Sequence, residues 1–184
     1  MKYIFLGAHG TGKSTLVNEL NKNLNLPIVE SVSRQCQSVV KKMGWEPYGD
    51  HQSEYQLMTT EFAFWDFERI CEWNINCLMV RSPIDVVAYM LANKDPRVGE
   101  YVEKLIQLKT RGCFAGSTMF YLPIEFELVD DNCRPMDSEY QKLVDKYMVE
   151  LANILELELI PITGSVRDRV EKCLAHIDLD VLLG

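Results

Sequence analysis

Gly7-Ala8-His9-Gly10-Thr11-Gly12-Lys13-Ser14 holds the residue types and spacing best suited to chemistry in this chain. It satisfies the phosphate-binding pattern G-x-x-x-x-G-K-[ST] at every required position. Glycines there let backbone N–H groups turn inward around a phosphate without Cβ clashes, and a helix N-terminus behind them adds partial positive charge. The loop from Gly7 to Thr15 would cradle the phosphates, Lys13 would reach the β- and γ-phosphates, and the Ser14 hydroxyl would ligate Mg²⁺. His9 falls at a variable position and needs no role of its own. The flanks agree: residues 2–6 (KYIFL) suit a buried strand, and Thr15-Leu-Val-Asn-Glu-Leu opens a helical pattern. The expectation is a chain that binds a nucleoside triphosphate, ATP with Mg²⁺.

Further candidates cluster where apolar runs end. Glu30 follows the second such run, and Arg34 lies four residues on, where it could bind an acceptor phosphate or form an ordinary i, i+4 surface pair with Glu30. Arg81-Ser82 ends the third run, and Arg81 would neutralise a transferring phosphoryl group. Asp85 is either a further carboxylate for the site or a helix N-terminal anion. Gln52, Tyr55 and Gln56 could read a base edge through amide hydrogen bonds. Phe62, Phe64, Trp65 and Phe67 cannot all face one way on a helix, and most are expected in the core.

The elements that must position these residues alternate as short apolar runs and amphipathic segments, the mark of βα units around a parallel sheet. Helices are expected over 13–24, 31–43, 53–73 (capped by Ser53), 83–91, 98–110, from an Asp137 cap to about 155, and over 165–177. Strands are expected over 27–30, 76–80, 118–122 and 158–162, in addition to the first. With 184 residues, 47% of them hydrophobic, and no repeat or linker, one three-layer α/β domain accounts for the whole chain. A net charge of −8 argues against affinity resting on many phosphates of a long polymer, so nucleic acid is the weaker partner class. No apolar run reaches the length of a membrane span, and the chain enters its first strand at once, leaving no room for a signal peptide. The six cysteines form no CxxC pair, so reduced thiols in a cytoplasmic protein are expected. Asn93-Lys94-Asp95-Pro96 lacks the spacing of an NKxD base motif, and the third strand ends in Val80 rather than the aspartate of motor ATPases.

Five segments, in order, carry a family resemblance: GAHGTGKST (7–15), Glu30 with Arg34, RSPIDVVAY (81–89), VDDNCR (129–134) and ITGSVRDR (162–169). They resemble the P-loop nucleoside and nucleoside monophosphate kinases, in particular the small phage and bacterial AAA-type kinase group similar to the ribosylnicotinamide kinase domain. The resemblance implies a five-stranded parallel sheet of order 2-3-1-4-5, a short lid at about 123–136, and transfer of the γ-phosphoryl of ATP to a (deoxy)nucleoside monophosphate or nucleoside. It makes Glu30 the base for the acceptor hydroxyl or a metal-positioning carboxylate, and Arg134 a lid cation over the triphosphate. Asp131, with Asp130, would bind acceptor hydroxyls or keep the loop soluble. Gly164 and Arg167 would frame adenine, and an aromatic such as Phe62 would stack an acceptor base. One departure stands out: similar kinases carry an acid directly before the arginine of the third strand, and here that position is Val80. Two other readings remain open, a kinase of polynucleotide 5′ ends or modified DNA bases, and a non-catalytic ATP-binding accessory protein. A homodimer is compatible with all three.

Overall fold

The computed structural model describes residues 1–73, 75–128 and 136–177. Five parallel strands form one sheet in the order β2-β3-β1-β4-β5, as the resemblance implies. The strands are β1 (Lys2–Leu6), β2 (Ile28–Val29), β3 (Cys77–Val80), β4 (Ser117–Tyr121) and β5 (Leu159–Pro161). The helices are α1 (Lys13–Leu24), α2 (Val32–Lys42), α3 (Gln52–Glu72), α4 (Pro83–Ala92), α5 (Val98–Thr110), α6 (Ser138–Ile154) and α7 (Val166–Leu174).

β1 is central because nearly all of it can be buried: Tyr3, Ile4, Phe5 and Leu6 are fully shielded from solvent. Its side chains alternate between two cores. Tyr3 and Phe5 join Leu78, Val80 and Phe120 against Leu16, Val17 and Leu20 of α1 and Cys173 of α7. Ile4 and Leu6 join Cys77 and Met79 against Phe64 and Phe67 of α3, Val87 of α4, Leu105 of α5 and Met148 of α6. A smaller cluster of Cys36, Val40 and Tyr55 holds α2 to α3.

Several boundaries differ from expectation for identifiable reasons. β2 is only two residues, because Pro27 contributes no N–H, although its carbonyl still accepts from Leu78. α3 begins at Gln52 with His51 at its cap; Ser53 is not the cap, and its hydroxyl instead accepts from Arg97 at 2.9 Å. α2 begins after Ser31, which leaves Glu30 off the helix. The cap at Asp137 is as expected, and Ser165 caps α7, each accepting a backbone N–H of the first helical turn. Of the expected lid, residues 129–135 lie outside the described residues, and with them Asp130, Asp131 and Arg134.

Candidate active site

The parallel register brings the carboxyl ends of β1, β2 and β3 to one edge, where the phosphate-binding loop, Glu30 and Arg81 meet. The loop is built for close backbone approach. Gly7 has φ +149°, and a Cβ there would stand 2.5 Å from the Leu122 carbonyl oxygen. Gly12 caps α1 at φ +85°, without a side-chain cap and with no acidic residue in the first turn. Among the described residues the first N–H groups of α1 therefore have no capping or first-turn carboxylate, which suits the donor set to phosphate. Lys13 is 6% exposed, and its ammonium donates to the carbonyls of Gly7 and Ala8, each at 2.6 Å, and to Thr11 Oγ1 at 3.2 Å. Lys13, Ser14 and Thr15 line an open cleft of about 620 Å³ together with Glu30, Arg34 and Arg81.

Arg81 is the residue at the crossing point. It takes φ +81° immediately after β3, a conformation costing a non-glycine residue on the order of 1 kcal/mol and concentrated at functional sites. Its guanidinium, 9% exposed, lies 4.0 Å from an Asp85 oxygen, donates to the Tyr89 hydroxyl at 3.5 Å and sits 5.2 Å from that ring's centre. Beyond Arg81 opens a second cleft of about 460 Å³, walled by Tyr48, Tyr55, Tyr89 and Tyr140 and edged by Gln52, Gln56 and Asn93. Gln56 is placed there as the sequence suggests, its amide nitrogen donating to the Val86 carbonyl and its oxygen accepting from Asn93.

Other expected site residues are placed differently. Asp85 does not face an acceptor. It is fully buried, and its carboxylate accepts from the Ser82 N–H at 2.8 Å to complete the capping box of α4. Burial pushes its pKa up, against the pull of Arg81 and Lys13. Phe62 is 49% exposed and lines neither cleft; Phe64 and Phe67 take the inward face of α3. Glu30 and Arg34 share the first cleft but form no ion pair, because Glu30 precedes the helix and lacks the i, i+4 geometry. Arg167 does not frame a base, being 87% exposed and paired with Glu171 one turn on.

Arg169 takes the inward place instead. Only 3% exposed, it donates to the Thr11 carbonyl at 2.8 Å, to the Gly164 carbonyl at 3.0 Å and to Glu125 at 2.6 Å. Gly164, at φ +100°, gives its own N–H to the same Glu125 carboxylate. The loop after β5 is thus tied to the phosphate loop through one guanidinium. The signal was readable: Arg169, Cys173 and Ile177 recur at i, i+4 and i+8 and are all buried. Arg169 and the Gly164 N–H hold the Glu125 carboxyl below the usual carboxylate range. A lowered acid contributes stability above its unfolded pKa and loses it as pH falls through the folded value, so the clamp is intact at neutral pH and opens only in acid. Arg169→Met should lower stability by about 2 kcal/mol and weaken ATP binding, since it takes the guanidinium donor from the Thr11 and Gly164 carbonyls and unties the loop after β5 from the phosphate loop. Thermal unfolding with and without ATP checks this; an unchanged midpoint and ATP affinity would make the clamp incidental.

Three further residues around the loop were missed. Gln141 of α6 donates to the His9 carbonyl at 2.6 Å, and Tyr89 bonds the His9 ring at 3.0 Å. Asp145, hydrogen-bonded to Tyr121 at 2.6 Å, is close enough for Lys13 to oppose the upward push of burial on its pKa. His9, expected to be idle, is thus 4% exposed and held at both its ring and its backbone.

Val80 lines the first cleft but is 4% exposed and packs in the α1 core. Among the described residues no group of three or more His, Cys, Asp or Glu side chains could hold a metal. Val80→Asp should accordingly fold less stably, with the new carboxyl raised by burial. If the residue nonetheless reaches a metal, the Mg²⁺ concentration for half-maximal activity should drop; normal folding with an unchanged Mg²⁺ dependence would show position 80 irrelevant to metal.

The arrangement of a five-stranded parallel sheet and a glycine-lined phosphate loop at its carboxyl edge defines a P-loop protein of the nucleotide-kinase fold class. Residues 2–169 match the family model described as AAA domain, and the chain belongs to that family. The fold is similar to deoxyadenosine kinase from M. mycoides with dCMP and dCDP bound, at 15% identity and TM-score 0.66, covering 96% of this chain and 98% of that one. It is similar to the NadR protein in complex with NR, at 13% identity and TM-score 0.65, covering 96% of this chain and 51% of that one. It is also similar to shikimate kinase from Aquifex aeolicus, at 18% identity and TM-score 0.58, with both chains fully covered. No curated protein matches the sequence. Among the described residues no helix is long and apolar enough to cross a membrane.

Proposed function

We propose that this protein is an ATP-dependent kinase that transfers the γ-phosphoryl group to a nucleoside or nucleoside monophosphate, in deoxynucleotide metabolism. One observation carries the reading: Arg81 lines both the phosphate-loop cleft and the tyrosine-walled cleft, so a cation stands where donor and acceptor would meet. Gly7 to Thr15 would hold the triphosphate, with Lys13 on its outer phosphates and the Ser14 hydroxyl toward Mg²⁺. Mg²⁺, arriving with ATP, would supply charge neutralisation between the phosphates. Glu30 lines the phosphate cleft beside Arg81 and would take the proton of the attacking hydroxyl. Arg81 would stabilise the charge on the phosphoryl group in flight. Arg34, on the same cleft, would hold an acceptor phosphate, and Arg134 would act from the lid.

The second cleft supports the acceptor class. Four phenol rings with three amides between them suit a flat heterocycle whose edge offers both donors and acceptors, which describes a nucleobase. The deoxyadenosine kinase of similar fold is named for such an acceptor, whereas shikimate kinase is not, so fold alone does not choose. A non-catalytic ATP-binding role is the second reading, favoured by the apolar Val80 beside the loop. ADP formation across nucleosides, nucleoside monophosphates, shikimate and short oligonucleotides separates these. Turnover with a mononucleotide or nucleoside supports the proposal; turnover only with oligonucleotides or shikimate, or tight ATP binding without turnover, refutes it.

A further inference from the structure

Tyr89 belongs to neither the phosphate loop nor the strand ends, yet its hydroxyl touches both. Asp85 and Tyr89 are one turn apart on α4, so both present to Arg81, Asp85 at 4.0 Å and Tyr89 at 3.5 Å. The same hydroxyl is 3.0 Å from His9 Nδ1. Arginine has only donors, so Arg81 donates to the Tyr89 oxygen, the tyrosine proton is left for His9 Nδ1, and a neutral His9 then carries its proton on Nε2. His9 is in turn fixed by Gln141 at its carbonyl. The Tyr89 ring also walls the acceptor cleft beside Tyr140, with ring centres 6.1 Å apart.

We infer that Tyr89 is a positioning residue which sets Arg81 relative to the phosphate loop through the chain Arg81–Tyr89–His9, and so links filling of the acceptor cleft to aim of the guanidinium. The inference rests on the kinase reading for its consequence in catalysis, but not for its geometry. Arg81 needs such a support: its backbone is in the left-handed region, and among the described residues no carboxylate holds it in a bidentate pair. Among the described residues the Asp85 oxygen facing Arg81 makes no hydrogen bond and the Tyr89 hydroxyl is the side-chain acceptor for the guanidinium, so Tyr89 sets its direction.

Tyr89→Phe keeps the ring, the cleft wall and the cation–π contact while removing both hydrogen bonds. It should lower kcat about 10- to 100-fold, the weight of a hydrogen bond to a charged group, with KM for the acceptor within about 3-fold. A wall residue alone would move the acceptor KM and leave kcat in place. His9→Phe should slow the enzyme as well, and the double variant should be no slower than the slower single variant, because both break one chain. Multiplied losses, or a Tyr89→Phe enzyme with wild-type kcat, would overturn the inference. Calorimetric binding of ADP and of a non-hydrolysable ATP analogue decides it without turnover. Tyr89→Phe should lose most of the wild-type preference for the triphosphate while keeping ADP affinity; a retained preference overturns the inference. A wild-type protein that phosphorylates no acceptor would defeat the kinase reading and leave this binding ratio to judge Tyr89.

Discussion

Lys13→Ala should abolish phosphoryl transfer, with kcat reduced at least about 100-fold, as when other charges facing a developing oxyanion are removed. The structure adds a second expectation. The ammonium is donor to the Gly7 and Ala8 carbonyls, and it offsets the buried Asp85 and half-buried Asp145 carboxylates. Removing it leaves the Gly7 carbonyl without this donor and the Ala8 carbonyl with only the Thr11 hydroxyl, so the variant should also unfold a few degrees lower, about 1 kcal/mol per lost bond. Both carboxyl pKa values should rise further, since the cation that pulls them down is gone. Steady-state kinetics beside a circular dichroism melt checks both parts. A folded variant that retains near wild-type kcat would remove Lys13 from the chemistry.

Glu30→Gln should lower kcat by about 100-fold or more while leaving KM for ATP nearly unchanged, because a base acts in the transition state rather than in binding the donor. The alternative of a surface pair with Arg34 is already disfavoured by geometry: the pair does not form, since α2 starts at Val32. Glu30 instead stands on the cleft that holds Lys13, Ser14 and Arg81. A Gln variant with unchanged kcat would return the base to another residue, and Arg34→Ala, expected to raise only the acceptor KM, separates proton transfer from acceptor binding.

What could be read in advance follows a physical division. Backbone-determined features were legible: the phosphate loop, from its glycines and Lys13-Ser14; the parallel alternation, from apolar runs; and the cap at Asp137. Glu30 and Arg81 line the cleft expected for them because a strand end fixes where its next residue emerges. Helix-borne side chains were harder, since their direction depends on which face the sheet takes. Phe62 and Phe64 differ by two positions and face opposite ways. Arg167 and Arg169 differ in the same way, the first solvated and the second turned inward. Asp85 went to its helix cap because a serine stands three residues before it, a local bond that outcompetes a distant ligand. Contacts made by packing distant elements, such as Gln141 and Tyr89 on His9, had no sequence signal, being 132 and 80 residues away from it.

Phosphorus NMR of ATP-Mg²⁺ with the wild-type protein and a nucleoside or nucleoside monophosphate tests the central claim most directly, because it reports where the γ-phosphoryl goes. The account predicts that its resonance is replaced by that of a phosphate ester or diphosphate on the acceptor, in step with ADP, and that Lys13→Ala shows neither. Loss of the γ-phosphate as inorganic phosphate alone, or an ATP spectrum unchanged in the presence of every such acceptor, would contradict it.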